Sequence, residues 1–206
     1  MLRRLADIAV SSAMLVLLSP LMLLAAMAIR LDSKGRAMFL QTRAGKDGVP
    51  FTIYKFRTMF HTMPAEAGPD AAAPALRGDP RITRVGAFLR DSKIDELPQL
   101  LNVLRGDMTL IGPRPETPRF VAHYTPRQRE VLKAKPGLTG PAQIHYAPRE
   151  ARQLEKAADA ERFYIERILP EKLEKDLEYM RLRSLRSDLA ILLRTCALAL
   201  TLGRRG

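Results

Sequence analysis

Apolar residues dominate the chain from Ile8 to Ile29, with Arg3, Arg4 and Asp7 before them and Arg30, Lys34 and Arg36 after. As a helix, this stretch of roughly 22 residues would cover about 33 Å, enough for a hydrocarbon core of ~30 Å. A secretory signal is a second reading, since Arg3 and Arg4 supply a basic start and Ala26-Met27-Ala28 has the small-x-small form of a cleavage site. Its apolar part exceeds the usual ~7–15 residues of such signals. A third reading starts from Ser19-Pro20 in the middle of the stretch, where proline removes a backbone hydrogen bond and clashes with the preceding turn. A bend there leaves two arms of about 12 residues, each ~18 Å long, close to the depth of one leaflet. Basic residues on both flanks favour a segment whose two ends emerge on one face. A proline-kinked spanning helix, with Asp7 capping its first turn, accounts for the same residues.

Past this stretch the period shortens. Ala37 to Gln41 and Val49 to Phe56, joined by Gly45-Lys46-Asp47-Gly48, predict a β-hairpin. Residues 64–80, rich in Ala, Pro and Gly, read as a mobile surface loop. Val85, Phe88 and Leu89 have helical spacing. A second helix is expected from near Asp95 through Leu97, Leu100, Leu101 and Leu104 to a stop at Gly106. Gly112-Pro113-Arg114-Pro115 reads as an irregular turn, and Thr125 to Lys135 as a short amphipathic helix closed by Pro136-Gly137. Glu150 to Thr201 reads as mostly helical with a break at Pro170. Its apolar finish, Leu189 to Leu202, is too short to span comfortably. With Arg183, Arg186, Asp188, Arg194, Arg204 and Arg205 in and around it, this segment suits either a membrane interface or the protein core.

The 206 residues suffice for one domain with a real core, and a net charge of +12 calls for an anionic partner: nucleic acid, phospholipid or a phosphorylated substrate. The clustered cations and stacking aromatics of a nucleic-acid binder do not appear. A single cysteine, Cys196, excludes an intrachain disulfide and agrees with a reducing compartment. His61, His123 and His145 lack zinc-ligand spacing. Neither a Rossmann glycine fingerprint nor a P-loop is present.

The most informative run is Arg90-Asp91-Ser92-Lys93-Ile94-Asp95-Glu96-Leu97-Pro98. Asp95 as N-cap with Glu96 in the first turn explains the acidic pair as a helix start. It leaves unexplained why Arg90 and Lys93 lie just upstream. Carboxylates kept ionised by nearby cations, with groups able to hold a phosphate, suit a phosphoryl-transfer site. A membrane-anchored scaffold, in which the pair only caps a helix, would bind lipid without turnover. Glycosidases set their two carboxylates ~5–9.5 Å apart across a sugar ring, and adjacent residues do not suit them.

The run Ser92 to Val103, continued by Leu104-Arg105-Gly106-Asp107-Met108-Thr109-Leu110-Ile111-Gly112-Pro113-Arg114-Pro115-Glu116, closely resembles the catalytic signature of the bacterial sugar transferases, the monotopic phosphoglycosyl transferases. The resemblance extends to Phe51 to Met59, to Lys135-Pro136-Gly137-Leu138-Thr139-Gly140, and to Arg3-Arg4-Leu5-Ala6-Asp7 with Ser11 and Ser19-Pro20, in the family's order. It implies that Asp95 attacks the sugar-linked phosphorus of a UDP-sugar, releasing UMP and forming a covalent phosphosugar. Polyprenyl (undecaprenyl) phosphate then takes up the sugar phosphate, as the first membrane step of glycoconjugate or exopolysaccharide assembly. It implies Glu96 beside Asp95 in a dyad associated with Mg2+, both as metal ligands, and Arg90 facing phosphate. Pro113, Arg114 and Pro115 would form the turn linked with the nucleotide, and Lys55 and Arg57 are further cations at the substrate.

The fold so implied is α+β and helix-rich. It is one domain over 1–206, with a re-entrant helix in 1–34 broken at Ser19-Pro20 and a catalytic part in 35–206 bearing interfacial amphipathic helices. It would rest on the cytoplasmic face of the bacterial inner membrane, without nucleic acid, and a homodimer is left open. The chain departs from the family's common Leu-Ala-Gln-Val-Asn-Gly run at Pro141-Ala142-Gln143-Ile144-His145-Tyr146-Ala147-Pro148, which bears on substrate choice; His145 reads as a local structural or sugar-side residue.

Overall fold

The computed structural model describes residues 2–60 and 79–202, so most of the 64–80 segment lies outside the described residues. The apolar stretch forms one 31-residue helix, α1 (Leu2–Asp32), about 46 Å long. The helix is uninterrupted at Ser19-Pro20. Proline at position 20 removes the N–H that would reach the carbonyl of Val16, and the Ser19 hydroxyl donates to that same carbonyl at 2.8 Å. The serine thus replaces the donor that its neighbour lacks.

Both ends of α1 are fastened to the rest of the protein. Arg4 donates to the carbonyls of Val103 and Leu104 at 2.5 and 2.7 Å, Arg3 pairs with Asp188 at 2.9 Å, and Asp32 accepts from the N–H of Val85 at 3.2 Å. Asp7 is buried. It accepts from the Thr109 hydroxyl and the Leu110 N–H at 2.9 and 3.0 Å, so it pins α1 to the strand there instead of capping a first turn.

The hairpin forms as expected, with β1 (Met38–Ala44) ending three residues later than read, antiparallel to β2 (Pro50–Phe56) and joined by a 3-10 turn at Lys46–Gly48. There follow α2 (Arg84–Asp91), a 3-10 segment at Ile94–Gln99, and α3 (Leu100–Arg105), which ends at Gly106 with φ 93°. Short strands β3 (Thr109–Ile111) and β4 (Gly137–Thr139) pair in parallel, and between them lie α4 (Pro118–Val121) and α5 (Pro126–Arg129). The expected 125–135 helix divides into α5, held by a Thr125–Gln128 capping box, and a 3-10 turn at Glu130–Lys133. The last third holds α6 (Pro141–Glu155), α7 (Ala160–Phe163), α8 (Leu169–Leu182) and α9 (Leu185–Leu202).

The expected break at Pro170 does not occur. A π-turn at Tyr164–Ile168, in which the Tyr164 carbonyl accepts from the Leu169 N–H, leads directly into α8, and Pro170 is the second residue of that helix. Met108, Val103, Leu100, Ile53, Tyr179 and Ile191 form the core that joins the hairpin, α3, α8 and α9. On α9 the two readings of its apolar finish divide by face. Asp188 and Ile191 pack inward, while Leu185, Leu189 and Leu193 are 58 to 63 % exposed. Helix-rich α+β architecture with a long apolar N-terminal helix is the fold observed.

Candidate active site

Lys93 takes a left-handed conformation (φ 61°) and turns the chain from α2 into the 3-10 segment that carries Asp95 and Glu96. Asp95 therefore lies inside this segment and caps nothing. Its carboxyl is buried, and the Oδ1 atom has no hydrogen-bond partner in the protein. That removes the helix-cap explanation of the acidic pair, because a capping carboxylate would hold a backbone N–H.

Glu96 is bound on both sides. Its Oε1 accepts from Lys55 at 3.0 Å and from Arg114 at 2.9 Å, and a second Arg114 nitrogen lies 3.5 Å from Oε2. Burial alone would raise the Glu96 pKa, but the charges of Arg114 and Lys55 overcome it and hold the carboxyl well below its usual range. Asp95 moves the other way: burial raises its pKa, the Glu96 charge adds to the rise, and Lys55, Lys93 and Arg90 only partly oppose it. Neighbouring carboxylates driven apart in this manner commonly take different chemical roles. Glu96 is a permanent anion that organises cations. Asp95 is an under-solvated carboxyl, which in its ionised form is the more basic and more nucleophilic of the two.

Local packing sets this geometry. Lys55 comes from β2, which Asn102 ties to α3: its side chain accepts from the Tyr54 N–H at 3.0 Å and donates to the Thr52 carbonyl at 2.7 Å. Asn102 is fully buried in an apolar run, and that misplaced polarity is the sequence signal of its positioning role. Arg114 comes from the Gly112–Pro115 turn, which is strapped to β4 by Gly112 N–H to Thr139 at 2.9 Å and Gly137 N–H to Pro113 at 2.7 Å. The two backbones touch so closely that a Cβ on Gly137 would lie 2.1 Å from the Gly112 nitrogen. Gly137→Ala is accordingly expected to destabilise the protein by about 1–3 kcal/mol, read as a lower urea midpoint in detergent, and to weaken activity by displacing Arg114.

Behind the turn lies a buried polar layer that sequence reasoning missed. Tyr164 donates to Glu116 at 2.6 Å, Lys172 pairs with Glu150 at 3.1 Å, and Arg43 donates to the Pro115 carbonyl at 3.2 Å. Asp176 is buried with its Oδ1 unpartnered, and burial pushes its carboxyl up to about 7. A raised folded pKa means that the stability this group contributes is complete below its unfolded value and is lost as pH rises through about 7. Asp176→Asn is therefore expected to gain stability on wild type as pH is raised from 5 to 8, by roughly 2 kcal/mol, with urea melts at both values as the check.

The structure brings together Asp95, Glu96, Lys55 and Arg114, with the Arg90 and Lys93 charges reaching Asp95. Pro113 and Pro115 are buried, and their carbonyls anchor the turn. Arg57 is not part of this group. Its guanidinium donates to Ser33, Arg36 and Met59, clamping the end of α1 to the hairpin. His145 is exposed, edge-on to Tyr146 at 4.9 Å, and Tyr146 donates to Glu171. Ser19 and Pro20 lie in mid-helix, away from the dyad in sequence and on a different element.

The sequence matches the Bacterial sugar transferase family over residues 1–201. It is 44 % identical over 202 residues to a UDP-glucose:undecaprenyl-phosphate glucose-1-phosphate transferase from Caulobacter vibrioides, covering 97 % of this chain and 70 % of that protein. A protein of the same name from Escherichia coli is 38 % identical over 95 % of this chain and 39 % of its own length. The UDP-N-acetylgalactosamine-undecaprenyl-phosphate N-acetylgalactosaminephosphotransferase of Aeromonas hydrophila is 40 % identical over 95 % of this chain and 43 % of its own. The chain thus spans about two fifths of the longer relatives. With a match over residues 1–201 and Glu96 held between Lys55 and Arg114, the chain belongs to the bacterial sugar transferase family.

Proposed function

We propose that this protein transfers a sugar-1-phosphate from a UDP-sugar to a polyprenyl phosphate, with Asp95 as the nucleophile. The observation that carries the reading is the contrast within the dyad: Asp95 has a buried, unpartnered oxygen, while Glu96 is held by two cations beside it. An Asp95 oxygen forms a bond to the phosphorus that bears the sugar. The bond from that phosphorus to the bridging oxygen breaks, and UMP leaves with the electron pair. An oxygen of the polyprenyl phosphate then bonds to the same phosphorus, the bond to Asp95 breaks, and the carboxylate is restored. Such a scheme is ping-pong. Lys55 and Arg114, fixed through Glu96, oppose the charge of the diphosphate, with Arg90 and Lys93 adding to the field at Asp95.

Mg2+ fits the donors available. Such an ion is bound through one or two carboxylates together with phosphate oxygens and water. The unpartnered Oδ1 of Asp95 and the loosely engaged Oε2 of Glu96 would hold it, and its charge would screen the anionic nucleophile from the diphosphate.

A seat on one face of a membrane is part of the same proposal. Only 11 % of the most apolar window of α1 is buried, which a core helix would not tolerate, and Val16 and Leu17 are 76 and 71 % exposed. Yet Asp7, Ser11, Ala25 and Ile29 along the other side of α1 are buried against the protein, and both ends are bonded to it. A helix attached to one body along its length supports a re-entrant placement over a crossing, with the cytoplasmic face of the inner membrane as the expected location. The exposed leucines of α9, next to the Arg3–Asp188 pair, suit the same surface.

UMP release from a panel of UDP-sugars by detergent-solubilised protein, with Mg2+ and undecaprenyl phosphate, tests the reaction and names the sugar. No release from any UDP-sugar by folded protein would remove the proposal.

A further inference from the structure

A cavity of about 440 Å3 lies between the second half of α1 and α2. Leu21, Leu24 and Ala28 form one side and Phe88 the other, Ile94 contributes a wall, and Arg84 is the sole charged residue in its lining. The volume is in the roughly 300–1,000 Å3 range of small-molecule sites. Small residues on α1 help to make the space. Ala25 and Ala28 face α2 where larger side chains would close the gap, and buried Ala25 and Leu89 form its floor. The remaining apolar groups are left unprotected: Leu21, Leu24 and Phe88 are 38, 59 and 65 % exposed. A water-filled cavity with this lining is unfavourable, since it offers water few polar partners. An apolar ligand, or the lipid that bathes α1, fits it better.

Its position bears on the chemistry. Ile94, which lines the groove, is the residue before Asp95 in the chain, and the charges of Arg90 and Lys93 reach Asp95. On the reaction proposed above, the second substrate must bring a phosphate to the phosphorus on Asp95 while its hydrocarbon tail leaves toward the bilayer. A ligand with an anionic head and an apolar chain matches the cations at one end and the groove beyond them.

We propose that this groove holds the isoprenoid units nearest the phosphate of the polyprenyl acceptor, and so selects for an isoprenoid chain on the second substrate. Single acyl chains of surrounding lipid, and detergent, are the competing occupants.

The test uses a polyprenyl phosphate with a photoreactive group in its first isoprene units, applied to the full chain in phospholipid nanodiscs. The expected result is labelling of peptides from 21–28 and 84–94, competed by undecaprenyl phosphate and not by phosphatidic acid. Phe88 is exposed, so Phe88→Asp should fold. It should cut the labelling about tenfold and raise KM for the lipid acceptor more than KM for the UDP-sugar. Ala28→Trp, which fills the groove, should do the same. Labelling elsewhere, for example on α9, or equal competition by phosphatidic acid, overturns the proposal. UMP assays on the same preparation separate the two readings. Groove labelling without UMP release would leave the site and remove the reaction, and UMP release with labelling elsewhere would do the reverse.

Discussion

Asp95→Asn is expected to abolish turnover while raising the stability of the protein. The substitution preserves shape and removes the proposed nucleophile, so the loss should be at least about 10^4-fold, equivalent to about 5.5 kcal/mol of transition-state stabilisation. The stability change runs the other way because burial and the Glu96 charge raise the Asp95 pKa in the folded state, so at neutral pH its ionised form opposes folding. A neutral amide at this position is relieved of that cost, and the unfolding midpoint should move up. An exposed helix cap would behave differently, since Asn and Asp serve almost equally there. Paired UMP-release and denaturant measurements on the one variant check both parts. Membrane association should be unaffected, because Asp95 lies on the 3-10 segment and not on α1 or α9.

Glu96→Gln should be damaging for a different reason. The carboxylate separates two cations, Lys55 and Arg114, both within 3.0 Å of its Oε1 atom. With a neutral amide in its place those cations face each other largely out of water. Removing one partner of such a buried pair costs about 3–5 kcal/mol, and activity should drop by about 10^2 to 10^3 as the cationic frame loosens. The low folded pKa of Glu96 gives the pH dependence its sign: the stabilisation is present above the unfolded value near 4.5 and is lost as pH falls through the depressed folded value. The wild type should therefore lose its stability advantage over Glu96→Gln in acid. Adding Lys55→Met to Glu96→Gln should recover part of the stability without recovering activity, and a double-mutant cycle measures that coupling.

These two expectations rest on residues that the sequence already marked, while their surroundings were legible only in part. Phe51, Ile53 and the Gly45–Gly48 turn announce the hairpin because alternation and turn chemistry are local signals. The helix of Val85, Phe88 and Leu89 is local in the same way. β3 and β4 are three residues each, too short for any period, and their pairing depends on glycines at 112 and 137 meeting across the chain. Asp7 illustrates the general difficulty: near the start of a helix it reads as a cap, yet its partners are Thr109 and Leu110, more than a hundred residues away. Arg57 shows the converse. Its strand-end position and its charge are those of a substrate-facing residue, but the carbonyls of Ser33 and Arg36 take up its donors. Pro170 reads as a breaker because proline is disfavoured in helix interiors, and only the preceding π-turn shows how the helix accommodates it. Asn102 supports the candidate site from behind, and its neighbours in sequence do not reveal that it holds the backbone of Thr52 and Tyr54.

On the proposed mechanism, Asp95 becomes covalently modified by the sugar phosphate. Intact-protein mass after incubation with a UDP-sugar and Mg2+, without any polyprenyl phosphate, tests it most directly. The expected result is an added mass of one sugar phosphate, mapped to the peptide carrying Asp95, absent in Asp95→Asn and discharged when polyprenyl phosphate is supplied. Product formation by wild type that requires both substrates together, with no adduct before the lipid is added and with activity retained in Asp95→Asn, would contradict it.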